Sequence, residues 1–423
     1  MTIGKAFFVS ASTLMSGTVL AQAITFALSF LLTRLYDPGQ YGRYSIFVGV
    51  AGVFGAMSTG ALDRVVLLGA SKTEARLAAT TVFVATLSLS ALVALVGGLL
   101  WAFGLGRRLP LNGVDLTLLV PLFMISFAAA QVFTYSCLRD GRVRRLAAIK
   151  VGQSVTMGLL QLLLSWLHAL PGLILGNIAG WLVLGSRGLQ WRLAQGGLGR
   201  DLRRNAIRAL VRRHWRYPRY VLPNEILDGL SNQAPVFLIG TFLALAQAGQ
   251  YGLAIMVLSA PAALVGQAVG QAFLQHMGPH ENDPHALEQS VWRIWLGMGA
   301  AGLVPFGALL ILGPTIFSIG FGGRWLQAGI IAQRIAPLLL LRFMSSPTST
   351  LYWKLNMQRE QWFFSVAAAC YRTLCYSLTA FGFGLNFVIL LHVAIESVAI
   401  LLFNLFTLKR LRDLQHIRLE GAT

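Results

Sequence analysis

"DPGQYGRY" at 37–44 and "QAGQYGLA" at 247–254 share the polar tetrapeptide Gly-Gln-Tyr-Gly. The copies begin at Gly39 and Gly249, a separation close to half of the 423-residue chain. Each copy lies between two long apolar runs. The repeat therefore predicts a duplicated fold in which the two copies occupy equivalent positions.

The composition is that of a membrane protein. Hydrophobic residues make up 56% of the chain and charged residues 12%, and the mean hydropathy is +0.67. Such a chain has too little polar surface for a soluble globule of this length, and a bilayer-spanning helix needs roughly 20 apolar residues. The sequence predicts an all-α polytopic membrane protein with about twelve transmembrane helices, at 8–33, 42–66, 77–104, 114–137, 147–168, 171–190, 219–242, 249–275, 290–313, 329–353, 361–382 and 387–408.

The repeat divides these helices into two sets of six. Each copy of the tetrapeptide is predicted to lie in the connection after the first helix of a set. Because six is even, both sets enter the membrane in the same direction, as in transporters with parallel repeats. We predict an N-terminal lobe at 1–190, a basic linker at 191–217, a C-terminal lobe at 218–408 and a tail at 409–423, with the two parallel lobes around a central cavity.

The basic residues predict the orientation of the chain. Most Lys and Arg fall in connections that face the cytoplasm if the N-terminus is inside, as the positive-inside rule requires. Both termini are therefore expected in the cytoplasm. Anchoring to anionic membrane lipids explains the net charge of +19, so a nucleic-acid partner is not expected. The amphipathic linker is interpreted as a helix on the inner leaflet, or alternatively as a recruitment site for another enzyme.

Three stretches resemble a known family of membrane proteins. "LLTRLYDPGQYGRYSIF" at 31–47, a long segment at 217–275 around the second tetrapeptide, and "GGRWLQAGIIAQRIAPLLLLRFMSSPTS" at 322–349 are similar to the polysaccharide or O-antigen flippases. These belong to the superfamily that also contains multidrug exporters. Many relatives carry an Arg-Tyr-Glu-like segment late in the second helix, where this chain has "ALDRVV" at 61–66.

The resemblance implies a bacterial inner-membrane transporter. Its cargo would be an undecaprenyl-diphosphate-linked glycan, turned from the cytoplasmic to the periplasmic leaflet without a nucleotide-driven motor. Glycan-assembly enzymes are expected as further partners.

Charged and carboxamide side chains within spans are the candidate substrate contacts, because such groups usually face a bundle interior or a water-filled cavity. Arg342, near the middle of its predicted span, has the guanidinium fork that suits a diphosphate. Its own span carries no acid, so we expect no packed ion pair, and its alternative role is structural, with a carbonyl as partner. Gln22 and Asn232 correspond under the repeat offset and carry carboxamides near mid-membrane, and Arg34 ends the first span.

Carboxylates within spans are candidates for ion coupling. Glu225 and Asp228 share one face of the seventh helix, where mutual repulsion would favour binding of a proton or sodium ion. They are alternatively interfacial acids that meet arginines in and just after the linker, Arg216 and Arg219. Asp63 is a third candidate because of its place in the divergent "ALDRVV" segment.

Two further features are interpreted as structural. Arg372 and Glu396 lie at matching depth on consecutive helices and predict an ion pair within the C-terminal lobe. His168 and His392 look isolated, so no metal site is expected.

Three other functions remain open from the sequence. A multidrug or cation exporter would share this architecture, and a non-transporting scaffold is a further alternative. A polytopic glycan polymerase or glycosyltransferase is less favoured, because the predicted outer loops are short and no phosphate loop or HExxH motif occurs. We therefore expect no catalytic residue and no cofactor.

Overall fold

The computed structural model describes residues 3–104, 110–167, 171–196, 204–277, 284–355 and 357–420. Within these ranges all regular structure is helical. The α-helices are α1 (Ile3–Leu35), α2 (Pro38–Thr59), α3 (Asp63–Leu68), α4 (Lys72–Ala102), α5 (Val120–Arg139), α6 (Val143–Leu164), α7 (Gly172–Ala194), α8 (Arg204–Arg213), α9 (Leu222–Phe242), α10 (Leu245–Met277), α11 (Pro284–Phe321), α12 (Leu326–Ser345), α13 (Leu351–Lys354), α14 (Gln358–Ser377) and α15 (Leu385–Glu420).

Twelve of these helices are long, six before α8 and six after it. They match the twelve predicted spans in order, so the predicted all-α fold is confirmed. Among the described residues, nine helices are apolar and long enough to cross a membrane. The other three long helices, α2, α9 and α14, are not among these nine.

The chain forms two compact units, Met1–Gly249 and Gln250–Thr423. The first unit includes α9, which packs on α2: a Cβ on Gly49 would lie 2.6 Å from Gln233 Oε1, and one on Gly229 would lie 2.9 Å from Val53 Cγ2. The predicted division into two sets of six helices, with a linker at 191–217, concerns the sequence repeat and stays a prediction. Residues 197–203 of that linker and 421–423 of the predicted tail lie outside the described residues.

The tetrapeptide copies begin helices, which corrects the prediction that they lie in connections. Asp37 caps α2 by accepting from the backbone N–H groups of Gly39 at 2.7 Å and Gln40 at 2.9 Å. Gln40 Oε1 accepts from Asp37 N–H at 3.1 Å, which completes a capping box. The second copy lies in the early turns of α10.

Gly42 and Gly249 bring the starts of α2 and α10 together. A Cβ on Gly42 would lie 1.8 Å from the carbonyl oxygen of Leu245, and one on Gly249 would lie 2.0 Å from that of Pro38. Only glycine allows backbones to approach this closely. Both copies of the tetrapeptide therefore have a packing role, while the duplication stays a prediction.

Helix α8 confirms the amphipathic character of the basic linker. Leu210 is buried in a hydrophobic cluster with Val65, Val82 and Val132, while Arg204, Arg208 and Arg212 are exposed. His214, just after α8, lies 2.8 Å from Glu74 Oε1 at the start of α4. The described part of the linker is thus fixed to the first unit.

Candidate functional site

A buried carboxylate organises the polar centre of the second unit. Glu396 on α15 is 2% exposed and accepts hydrogen bonds from arginines on two other helices. Arg372 of α14 donates from Nε to Oε2 at 2.9 Å and from Nη2 to Oε1 at 2.6 Å. Arg342 of α12 donates from Nε to Oε1 at 2.8 Å. We call Arg342, Arg372, His392 and Glu396 the Glu396 cluster.

Histidine and tyrosine side chains extend this cluster. His392 Nε2 lies 2.6 Å from Glu396 Oε2, and its Nδ1 lies 3.1 Å from the hydroxyl of Tyr376. The Tyr376 hydroxyl donates in turn to that of Tyr251 at 3.2 Å. His392 is therefore not isolated, which corrects its interpretation from the sequence, while His168 lies outside the described residues.

The Glu396 cluster contains two guanidinium groups for one carboxylate. With His392 neutral, these groups sum to one excess positive charge. Arg372 is largely enclosed, with 13% of its side chain exposed, whereas Arg342 is 36% exposed. Arg342 is thus the more accessible of the two cations of the cluster.

The predicted ion pair of Arg372 with Glu396 is confirmed. The expectation that Arg342 takes part in no packed ion pair is wrong, because it shares that carboxylate. Its position also differs from the prediction: Arg342 lies in the last turn of α12, and a 3₁₀ segment with Pro347 follows. Proline ends the α-helix there because it lacks an N–H and its ring clashes with the preceding turn.

A second polar cluster lies in the first unit. Arg64 of α3 donates to Glu225 of α9, and the side chains of both are 31% exposed. Asp63, the residue before Arg64, is 5% exposed and lies within electrostatic reach of both. We call Asp63, Arg64 and Glu225 the Asp63 cluster, in which two carboxylates face one guanidinium.

The structure brings together two of the three predicted coupling residues, Asp63 and Glu225. Asp228 follows Glu225 by three residues on α9 and is exposed. The alternative prediction paired these acids with arginines near the linker. Glu225 instead forms its ion pair with Arg64. Arg219 instead places its guanidinium carbon 5.3 Å from the ring centre of Trp215.

The other predicted substrate contacts belong to neither cluster. Gln22 of α1 has a buried side-chain oxygen with no hydrogen-bond partner among the described residues. Asn232 of α9 and Arg34 at the end of α1 are exposed. The equivalence of Gln22 and Asn232 therefore does not extend to their burial.

Sequence reasoning also missed a buried ion pair in the first unit. Arg43 of the tetrapeptide segment donates from Nε and Nη2 to the two oxygens of Asp115, at 2.8 Å and 2.7 Å, and Asp115 is 0% exposed. The only indication of this pair in the sequence is that Asp115 is one of few acids near the predicted outer loops. Within the described residues, no group of three or more His, Cys, Asp or Glu could hold a metal.

Comparison with solved structures identifies the fold. The lipid II flippase MurJ in an inward closed conformation has a TM-score of 0.71 at 11% identity, over 94% of this chain and 88% of that chain. An inward-facing MATE family multidrug resistance transporter has a TM-score of 0.61 at 15% identity, over 95% and 96%. A transporter from Pyrococcus furiosus has a TM-score of 0.57 at 15% identity, over 97% and 96%. The chain shares the fold of these transporters.

The family is more specific. A family model described as "Polysaccharide biosynthesis protein" matches residues 31–330, and the chain belongs to this family. The resemblance drawn from the sequence is thereby confirmed. A search of curated proteins gives no match.

Proposed function

We propose that this protein is an alternating-access flippase for a polyprenyl-diphosphate-linked oligosaccharide used in surface polysaccharide synthesis. It would act in the bacterial inner membrane, with both termini in the cytoplasm, and turn its cargo from the cytoplasmic to the periplasmic leaflet. Membership of the polysaccharide biosynthesis family supports a glycan cargo. The fold shared with a lipid II flippase supports a lipid-linked one.

The Glu396 cluster is the observation that carries the proposal. A buried ionic cluster with more guanidinium than carboxylate repels an organic cation and attracts an anion. A diphosphate presents several anionic oxygens, which suit the planar donor fork of Arg342. In this proposal Arg372 holds Glu396 in place, and Arg342 contacts the diphosphate as the lipid crosses.

Cation export is the second candidate, and the Asp63 cluster is the observation that favours it. Asp63 and Glu225 outnumber Arg64, so this cluster would attract a cation. We assign that cation to energetic coupling: a proton or sodium ion would bind among Asp63, Glu225 and Asp228 and be exchanged during the cycle. An enzymatic role is not proposed, because no catalytic motif accompanies the transporter fold.

The choice between cargo classes can be tested with purified protein in proteoliposomes. One arm contains a fluorescent disaccharide linked to a polyprenyl diphosphate, and membrane-impermeant reduction of the fluorophore reports its leaflet. The matched control carries the same disaccharide on a polyprenyl alcohol, without phosphate. A third arm measures ethidium efflux. We expect rapid flipping of the diphosphate lipid alone, whereas transport of ethidium without flipping would contradict the proposal.

A further inference from the structure

Two adjoining cavities lie among the termini of four helices of the first unit. They are lined by the N-terminal ends of α4 and α6 and by the C-terminal ends of α5 and α7. The cavities measure about 540 and 240 Å³, and their walls share Asp140, Arg142, Trp191 and Ala194. We call the two together the basic cavity pair.

The walls of the basic cavity pair are strongly cationic. Their charged side chains are Lys72, Arg139, Arg142, Arg145, Arg187 and, as the only acid among the described lining residues, Asp140. Arg139 has a structural role, because it donates to the carbonyl oxygens of Gly69 at 2.8 Å and Val66 at 3.1 Å. Within the described residues, the other cationic side chains of the walls do not donate to several backbone carbonyl oxygens as Arg139 does.

The single acid neutralises little of this charge. Arg142 Nε lies 3.8 Å from Asp140 Oδ2, and the Arg142 side chain is 56% exposed. Arg187 donates to the neutral oxygen of Gln190 at 3.0 Å. Several guanidinium groups that converge on a cavity suit a ligand with several anionic oxygens.

We propose that the basic cavity pair binds the phosphate head group of an anionic phospholipid. Four candidate spans begin or end at its walls: Lys72–Ala102, Asp115–Arg139, Val143–Leu164 and Gly172–Ala194. The cavities therefore lie at the depth of the head groups, where basic pockets between helices bind such lipids. The indole of Trp191, in both walls, is typical of that level. This site is independent of the proposed cargo, so the proposal does not depend on flipping.

The test measures lipid binding by the full-length protein after delipidation in detergent. Native mass spectrometry counts bound phosphatidylglycerol, phosphatidylcholine or a polyprenyl diphosphate in separate titrations. The cavity variant combines Arg142→Gln, Arg145→Gln and Arg187→Gln. Its matched control combines Arg204→Gln, Arg208→Gln and Arg212→Gln, which removes the same charge from the exposed face of α8.

We expect wild type and the control to prefer phosphatidylglycerol and the cavity variant to bind it about 100-fold more weakly, since removing each basic side chain lowers the affinity by roughly tenfold or less. Asp140→Asn, which removes the acid of the wall, should tighten binding several-fold. Equal weakening in both triple variants would overturn the proposal, as would binding of a polyprenyl diphosphate but not of phosphatidylglycerol. If the cavity variant fails to fold, unchanged affinity in Asp140→Asn would overturn it.

Discussion

Arg372 holds Glu396 through both carboxylate oxygens, with its Nε at 2.9 Å from Oε2 and its Nη2 at 2.6 Å from Oε1. Arg342 donates to Oε1 alone. The two arginines are therefore unequal: loss of Arg342 leaves Glu396 with a bidentate partner, and loss of Arg372 does not. We propose that Arg372 is the structural arginine of the two and that Arg342 is the one that contacts a ligand.

Arg372→Gln should destabilise the protein more than Arg342→Gln. Breaking a buried ion pair typically costs about 3–5 kcal/mol, because a charge is left without its partner. Arg342 is more exposed, and its loss should cost about 1 kcal/mol. Thermal unfolding of the purified variants in one detergent measures this order, and equal destabilisation would contradict the unequal roles.

The pair of Arg43 and Asp115 should behave as one unit. Arg43→Gln leaves a fully buried carboxylate without its bidentate partner, so it should cost about 3 kcal/mol or more. Adding Asp115→Asn should recover much of that loss because the stranded charge is gone. A double-mutant cycle of unfolding free energies measures the coupling. Additive effects of the two changes would argue against a working ion pair.

Gly42→Ala should disrupt the approach of α2 to α10. Its new Cβ would lie 1.8 Å from the carbonyl oxygen of Leu245, and backbone cannot move aside as a flexible side chain can. Overpacking of this kind costs about 1–3 kcal/mol or more. The matched control is Gly52→Ala on the same helix, where nothing lies within 4 Å of the added Cβ.

Gly52→Ala should be neutral or stabilising by about 0.5–1 kcal/mol, because alanine favours the helix over glycine. Unfolding midpoints and the yield of monodisperse protein compare the two variants. Equal behaviour would show that the two helix starts are not packed as described.

Nine of the long helices in the described residues could be predicted because each contains an apolar run that is local in the sequence. The pair of Arg372 with Glu396 was also predictable, since the two residues lie at similar depth on consecutive predicted spans. By contrast, Arg64 and Glu225 are 161 residues apart, and no local pattern indicates that α3 meets α9. The ion pair of Arg342 with Glu396 was missed for the same reason, because no local pattern indicates that α12 meets α15.

Helix ends were harder to predict than helices. Helix α15 begins at Leu385 and continues to Glu420, beyond the predicted span at 387–408. Its last turns are polar, and hydropathy alone does not distinguish a helix that leaves the membrane from one that stops there. The end of α12 depends on Pro347, which falls inside the longer predicted span at 329–353.

Removing the carboxylates of α9 should change energetic coupling. The double variant Glu225→Gln, Asp228→Asn should insert and fold, yet lose the dependence of flipping on a proton or sodium gradient, because a coupling cation would no longer be held. Flipping in proteoliposomes with and without each gradient measures this. The control is Glu288→Gln, whose carboxylate pairs with Arg412. If the double variant shows gradient-driven flipping at the wild-type rate, these acids do not bind the coupling cation and their role is structural.

The most direct test of the central claim is the initial rate at which Arg342→Gln flips a fluorescent polyprenyl-diphosphate disaccharide in proteoliposomes. Arg324→Gln is the matched control, because it removes one exposed arginine from the same unit. A charge-assisted hydrogen bond contributes about 1.5–3 kcal/mol, so its loss predicts a rate roughly 10–100-fold lower, with Arg342→Lys in between. A wild-type rate in well-folded Arg342→Gln would contradict the claim that this guanidinium contacts the diphosphate.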